Sequence, residues 1–343
     1  MTGFRAWVTV TGVLLVGLAF TGCQTEPTTG HNVAILYGIT DYGNTTKINN
    51  LKYPSLDVEA LTPLLNSGTG GLFSTVIPRT DSAATKAQLK LDFQAAAAEL
   101  TADSEFLFYY SGHGADGGLE STYPGTEGHA LIVPYGDAST SPPTYSASTM
   151  VNETELAALV ATLPTKKVVI ILDSCYSGGF LQAASATDPL PQNSYAYYQS
   201  LWKAFLAGTS PSSGEALSSW YTDWAPDSET TAALASWNKA LGLTSDQAQL
   251  LTAAGALEQS YDDPNTQHGA FTHWLLEAQA HGDFDGNGYV TVSEAYRYSF
   301  EGLQAQWNGV WGAVGAGTLS TAGSIAFLPH LSQGPADFLL FKR

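Results

Sequence analysis

The stretch Val168-Val-Ile-Ile-Leu-Asp-Ser-Cys-Tyr-Ser-Gly-Gly179 runs an unbroken apolar segment into a short polar one that holds a thiol. A continuous apolar run of this length, rich in β-branched residues, is the pattern of a strand buried on both faces. Phe106-Leu-Phe-Tyr-Tyr-Ser-Gly-His-Gly114 repeats the plan with an imidazole in place of the thiol. Around these two, residues 33–37, 72–77 and 249–253 read as further strands, with a short one at 130–133 and a last one at 338–341. Residues 55–65, 86–100 and 271–281 carry helical spacing. Asn152-x-x-Glu155 forms a capping box that opens a helix reaching Leu163, and Pro164 ends it. This order predicts an α/β fold, a doubly wound and mostly parallel sheet with helices on both faces. In such sheets, sites form beyond the carboxyl ends of the strands.

His113 and Cys175 both stand at such ends. If their strands are neighbours, the two side chains share one rim about 4.8 Å apart. A free thiol is only a few per cent thiolate at neutral pH. A neighbouring imidazole raises that fraction and then protonates the leaving amine. The adjacent glycines let a substrate backbone approach and leave N–H groups for an oxyanion.

Tyr-Ser-Gly-His113-Gly and Asp173-Ser-Cys175-Tyr-Ser-Gly resemble the histidine and cysteine boxes of the caspase and metacaspase cysteine peptidases. Tyr176 departs from the His usual after the metacaspase cysteine. The likeness runs from about Asn32 to the C-terminus and is greatest toward bacterial members. It includes His268-Gly-Ala-Phe-Thr-His-Trp-Leu-Leu and the ending Gly334-Pro-Ala-Asp-Phe-Leu-Leu-Phe. The resemblance implies a Cys-His dyad endopeptidase, with Cys175 as nucleophile and His113 as general acid and base. It also implies the N–H groups of Gly114 and Cys175 as the oxyanion hole. Alternation puts Asp173 on the same side of an extended segment as Cys175, where a carboxylate favours Lys or Arg before the scissile bond. Metacaspases use this Asp in that way. Asp57, in Leu51-Lys-Tyr-Pro-Ser-Leu-Asp57, matches the family's second acidic position and is carried over as a further pocket residue. The alternative reading is a catalytically silent caspase-fold module that binds a peptide or a partner.

Composition agrees with a basic substrate. The 343 residues hold 13 Lys and Arg against 31 Asp and Glu, a formal charge of −18. Such a field repels nucleic acid and attracts cations and basic peptides. Charged residues make up 13% of the chain, about half the usual share. Two cysteines, Cys23 and Cys175, exclude a disulfide framework and a cysteine zinc site. A monomer is expected.

Residues 1–22 read as a signal peptide, with Arg5 before an uncharged, mostly apolar run. Phe20-Thr-Gly-Cys23 resembles a bacterial lipobox, although Leu is usual where Phe20 stands. That likeness implies lipidation of Cys23, a tether over 23–30, and an exported lipoprotein of the bacterial cell envelope. The alternative is simple export to the periplasm or medium. The peptidase domain is then 31–343. Within it, residues 184–245 break the alternation and are rich in aromatics such as Tyr197, Trp202, Trp220 and Trp237. They read as a helical insertion, because such side chains need burial.

Asp283-Phe-Asp285-Gly-Asn287-Gly288-Tyr289-Val-Thr291-Val-Ser-Glu294 matches the twelve-residue EF-hand loop. Asp283, Asp285, Asn287, Thr291 and Glu294 offer side-chain oxygens, Tyr289 its carbonyl, and Gly288 supplies the sharp turn. A single exported loop of this kind is expected to bind Ca²⁺ weakly, at about 0.1–1 mM, in a structural role. Catalysis itself calls for no cofactor.

Overall fold

The computed structural model describes residues 30–43, 45, 48–116, 126, 129–175, 177–180, 248–254, 260–303, 329–332 and 337–343. The signal segment, Cys23 and the 184–245 insertion lie outside the described residues. In chain order the strands are β1 (Val33–Gly38), β2 (Thr75–Thr80), β3 (Glu105–Ser111), β4 (Gly114–Asp116), β5 (Ala130–Ile132), β6 (Val151–Asn152), β7 (Lys167–Asp173), β8 (Ala248–Thr252), β9 (Asp262–Asp263), β10 (His268–Gly269), β11 (Tyr289–Thr291), β12 (His330–Ser332) and β13 (Leu339–Lys342). The helices are α1 (Pro54–Leu65), α2 (Lys86–Glu99), α3 (Glu153–Val160), α4 (Ala270–His281) and α5 (Val292–Leu303).

Six strands form the central sheet in the order β12-β8-β7-β3-β1-β2. All neighbours run parallel except β12, which is antiparallel to β8. The chain moves outward from β1 to β2, crosses back to β3, and continues to β7 and β8. The direction of winding therefore reverses between β1 and β3, and a crevice opens at their carboxyl ends.

Alternation along the buried strands divides the core in two. Val33, Ile35 and Tyr37 of β1 face Leu89 and Phe93 of α2 and Leu156 of α3. Ala34 and Leu36 face Val58 and Leu61 of α1, Phe271 of α4 and Ala295 of α5. Both faces are thus covered, as a parallel sheet requires. The capping box of α3 is complete: the Asn152 side chain accepts the Glu155 N–H at 2.8 Å, and Glu155 accepts the Asn152 N–H at 3.3 Å.

Three boundaries differ from the sequence expectation. The second strand begins at Thr75 rather than Leu72. Leu72 and Phe73 instead pack against the α1 side of the core, and β2, as an edge strand, tolerates a polar face and Pro78. Helix α3 stops at Val160, and a tighter turn bonds Thr162 and Leu163 to the carbonyls of Leu159 and Val160. The last strand, β13, leaves the central sheet and pairs antiparallel with β11 of the acidic loop. Among the described residues no helix is long and apolar enough to cross a membrane.

Candidate active site

β3 and β7 are neighbours with Ser111 opposite Asp173. The ladder continues one step further, with the Gly112 N–H on the Asp173 carbonyl at 3.2 Å. His113 and Cys175 therefore leave the sheet at the same level. The backbones touch there: a methyl group on Gly114 would lie 1.9 Å from the Cys175 carbonyl oxygen, so the closeness requires glycine.

A tyrosine cluster fixes the His113 backbone. Its N–H donates to the Tyr42 hydroxyl at 2.8 Å, and its carbonyl accepts from the Tyr110 hydroxyl at 2.8 Å and the Val133 N–H at 3.0 Å. The Tyr42 ring packs 4.8 Å from the imidazole. His113 Nε2 lies 2.7 Å from the Asn49 carbonyl. A carbonyl only accepts, so Nε2 carries the hydrogen and Nδ1 is the free base of the neutral ring.

The thiol of Cys175 donates to the Ser260 carbonyl at 3.6 Å. Burial, with the charge of Asp173 adding to it, pushes the thiol above its ordinary range. Burial likewise lowers the imidazole of His113. Burial thus works against the expected rise in the thiolate fraction. Both groups are half-buried, and a poorly solvated site disfavours each charged form. Asn49, Tyr42 and Ser260 were not legible as site residues. Asn49 acts through its backbone carbonyl, which any residue would supply, and so does Ser260 toward the thiol.

Asp173 and Asp57 lie side by side beneath this rim. Both carboxyls are buried, and Gly269 separates them: a methyl group there would lie 2.4 Å from Asp173 Oδ2 and 3.3 Å from Asp57 Oδ2. Asp173 accepts from the Ser260 hydroxyl on one oxygen, and from the hydroxyl (2.6 Å) and N–H (3.2 Å) of Thr272 on the other. Asp57 accepts from the Ser111 hydroxyl at 2.8 Å, the Gly269 N–H at 3.2 Å and His268 Nδ1 at 2.8 Å. Burial and then the Asp57 charge push the Asp173 carboxyl up to about 7, and burial raises Asp57 as well. Two carboxyls this close and this dry do not both ionise freely near neutral pH. His268 is thus a neighbour of the acidic pair.

The acidic loop joins α4 to α5. Oxygens of Asp283, Asp285 and Glu294 converge within 4.8 Å. Gly288 turns the chain at φ +87°, and Glu294 stands in the first turn of α5. The N–H groups of Asn287 and Thr291 donate to the Asp283 and Glu294 carboxylates, and the Tyr289 N–H donates to the Asn287 side-chain oxygen. The geometry of the donors fits a hard cation of the calcium class.

The Caspase domain profile, Peptidase_C14, matches residues 31–294. The chain belongs to the caspase domain family. Two solved structures are similar to this caspase domain. A structural-genomics protein of Geobacter sulfurreducens shares 16% identity, over 89% of this chain and 94% of its own, with a TM-score of 0.46. Caspase-1 of Spodoptera frugiperda shares 10% identity, over 92% and 94%, with a TM-score of 0.47. No curated protein sequence matches. The family assignment rests on the profile.

A raised thiol pKa sets the reactivity of this caspase domain. Alkylation of Cys175 by iodoacetamide in the ligand-free protein is expected to be slow at pH 7 and to keep rising above pH 8.5, the midpoint of an ordinary thiol. Mass spectrometry of the labelled peptide against pH checks this; a rate already saturated at pH 7 would mean a pre-formed thiolate.

Proposed function

We propose that this caspase-domain protein is a cysteine endopeptidase that cleaves after Lys or Arg. One observation carries the reading: Ser260 joins the thiol, through its carbonyl, to the buried Asp173 beside Asp57, through its hydroxyl.

In the proposed reaction, Nδ1 of His113 takes the thiol proton as Cys175 Sγ attacks the scissile carbonyl carbon. The oxygen gains the negative charge and is met by the N–H groups of Gly114 and Cys175. The tetrahedral centre collapses, the C–N bond breaks, and His113 returns the proton to the leaving amine. Water then attacks the thioester, giving a proton to His113, and the C–S bond breaks to restore the thiol. The Asn49 carbonyl holds the ring through Nε2 during each transfer and supports the imidazolium as it forms. Because burial disfavours the charged form of each group, proton transfer accompanies the attack.

The acidic pair sets the cut. A guanidinium or ammonium inserted there replaces the proton shared near neutral pH and neutralises the carboxylates. The sign follows from Asp173. Its ionised form binds the cation, so kcat/KM for an Arg substrate rises as pH passes upward through about 7. On the acid side it falls roughly tenfold per pH unit. Paired fluorogenic peptides ending in Arg, Lys and Asp test this. Turnover is expected after Arg or Lys, none in Cys175→Ala, and a loss of about 2–5 kcal/mol in kcat/KM for Asp173→Asn. Turnover only after Asp contradicts the pocket. No turnover under any condition favours the silent binding module, which the neutral, hydrogen-bonded thiol would suit equally.

The remaining readings complete the proposal. Residues 1–22 export the chain, Cys23 carries lipid and 23–30 tether the domain to the membrane of a bacterial envelope; release into the periplasm or medium is the alternative. The substrate is a protein or peptide with basic residues. The enzyme works as a monomer and binds no nucleic acid. Ca²⁺ is held by Asp283, Asp285, Asn287, Tyr289, Thr291 and Glu294 in a structural role. Calcium at one hundred times its dissociation constant is expected to stabilise the fold by about 2.7 kcal/mol. Thermal melts with calcium and with chelator read that shift, and Glu294→Gln is expected to remove most of it.

A further inference from the structure

His113 has little in its own stretch of chain to hold it. Gly112 precedes it and Gly114 follows it, and glycine leaves a backbone free to turn. The loop between β1 and α1 supplies the missing support and meets His113 at two points. From one arm, the Tyr42 hydroxyl accepts the His113 N–H at 2.8 Å and donates to the Val133 carbonyl at 3.1 Å. The ring of the same tyrosine packs 4.8 Å from the imidazole. From the other arm, the Asn49 carbonyl takes Nε2 at 2.7 Å.

The two arms are tied to each other. The Asn50 side chain, one residue beyond the Asn49 carbonyl, accepts the Tyr42 N–H at 2.8 Å and donates to Asp41 at 2.9 Å. The Leu51 N–H closes the base of the loop on the Thr40 carbonyl at 2.9 Å. Asp81, just after β2, accepts the N–H groups of Thr40 and Asp41, each at 2.8 Å. Tyr145 adds a bond from its hydroxyl to the Tyr42 carbonyl at 3.0 Å. Tyr42 itself is fully buried. A side chain so packed keeps one place, so its hydroxyl is a fixed point for His113.

We infer that Tyr42 is a positioning residue for the His113 imidazole and that its loop is a two-armed clamp. Tyr42 fixes the backbone and packs on the ring, so that Nε2 stays on the Asn49 carbonyl and Nδ1 stays the free base. This rests on the peptidase reading above and adds the residue that orients its base. A neutral imidazole released from Asn49 would exchange between its two tautomers. For part of the time Nδ1 would then carry the hydrogen and could not take the thiol proton.

The first readout needs no turnover. Histidine side chains of the full chain are labelled with nitrogen-15 and followed by NMR at about pH 8, where burial favours the neutral His113 ring. The parent is expected to show one tautomer, with the hydrogen on Nε2. Tyr42→Phe keeps the ring and loses the hydroxyl, and its two His113 nitrogens are expected to move toward each other as the tautomers mix. Asn50→Ala removes only the tie between the arms and is expected to show the same change. Tyr37→Phe removes another buried hydroxyl, the one bonded to Asp92, and is expected to leave His113 as in the parent. Melting curves check that the variants are folded; if Tyr42→Phe is not, the exposed Asn50 decides alone. An unchanged His113 spectrum in Tyr42→Phe and Asn50→Ala overturns the inference. So does an equal change in Tyr37→Phe, which would mark a general loss of packing. The second readout is hydrolysis of an Arg peptide. The kcat of Tyr42→Phe is expected to fall about tenfold, part of the roughly 10²–10⁴-fold that a placed acid–base group supplies, with KM within about twofold. An unchanged kcat, or a loss confined to KM, contradicts the inference. A parent without turnover sinks the peptidase reading, and the tautomer readout still decides the role of Tyr42.

Discussion

The in-register parallel pairing of β3 and β7, which sets Ser111 opposite Asp173, is the constraint on which the rest depends. It brings two separate loops to one level at the carboxyl edge of the sheet. From that single register follow the contact of Gly114 with Cys175, the shared rim of thiol and imidazole, and the descent of Asp173 beside Asp57. A shift by one residue would turn every side chain of one strand to the other face and dismantle both the core and the rim.

Burial then sets the chemistry. The site lies at the carboxyl ends of β3 and β7, beside the point where the sheet changes its direction of winding, and Ser260 and Thr272 bond to it. Low solvation raises the thiol, lowers the imidazole and raises the carboxyls, so the resting protein carries little charge where its chemistry needs most. In the proposed reaction, the basic side chain of a substrate supplies the missing counter-charge. Helix α4 links this region to the acidic loop: its first turn holds Asp173 through Thr272, and its last residues lead into Asp283. The loop's own strand, β11, is completed by β13 from the end of the chain.

Much of this was legible in the residues. Continuous apolar runs at 106–110 and 168–172 read as buried strands because a parallel sheet covered on both faces leaves no polar alternation. The candidate pair His113 and Cys175 was legible because each stands just past such a strand, with glycine within the next three residues. The acidic pair was half legible. Asp173 follows from alternation, whereas Asp57 came only through family likeness, since nothing local marks a helix residue as buried. Asn49 could not be read, because its backbone carbonyl makes the contact, and Ser260 could not, because only the fold brings its carbonyl and hydroxyl to Cys175 and Asp173. His268 could not be read either: its partner lies 211 positions away in sequence, and only the fold joins them. The start of β2 slipped because an edge strand is bounded by hydrogen bonding more than by hydrophobicity.

The central claim is that Cys175 is a nucleophile placed over a cation-binding pocket. Intact-mass analysis after treatment with matched arginyl and aspartyl chloromethyl ketone peptides tests it most directly. The account predicts one adduct from the arginyl reagent, mapped to Cys175, lost in Asp173→Asn and not formed by the aspartyl reagent. Equal labelling by both reagents, or labelling that ignores Asp173, would contradict it.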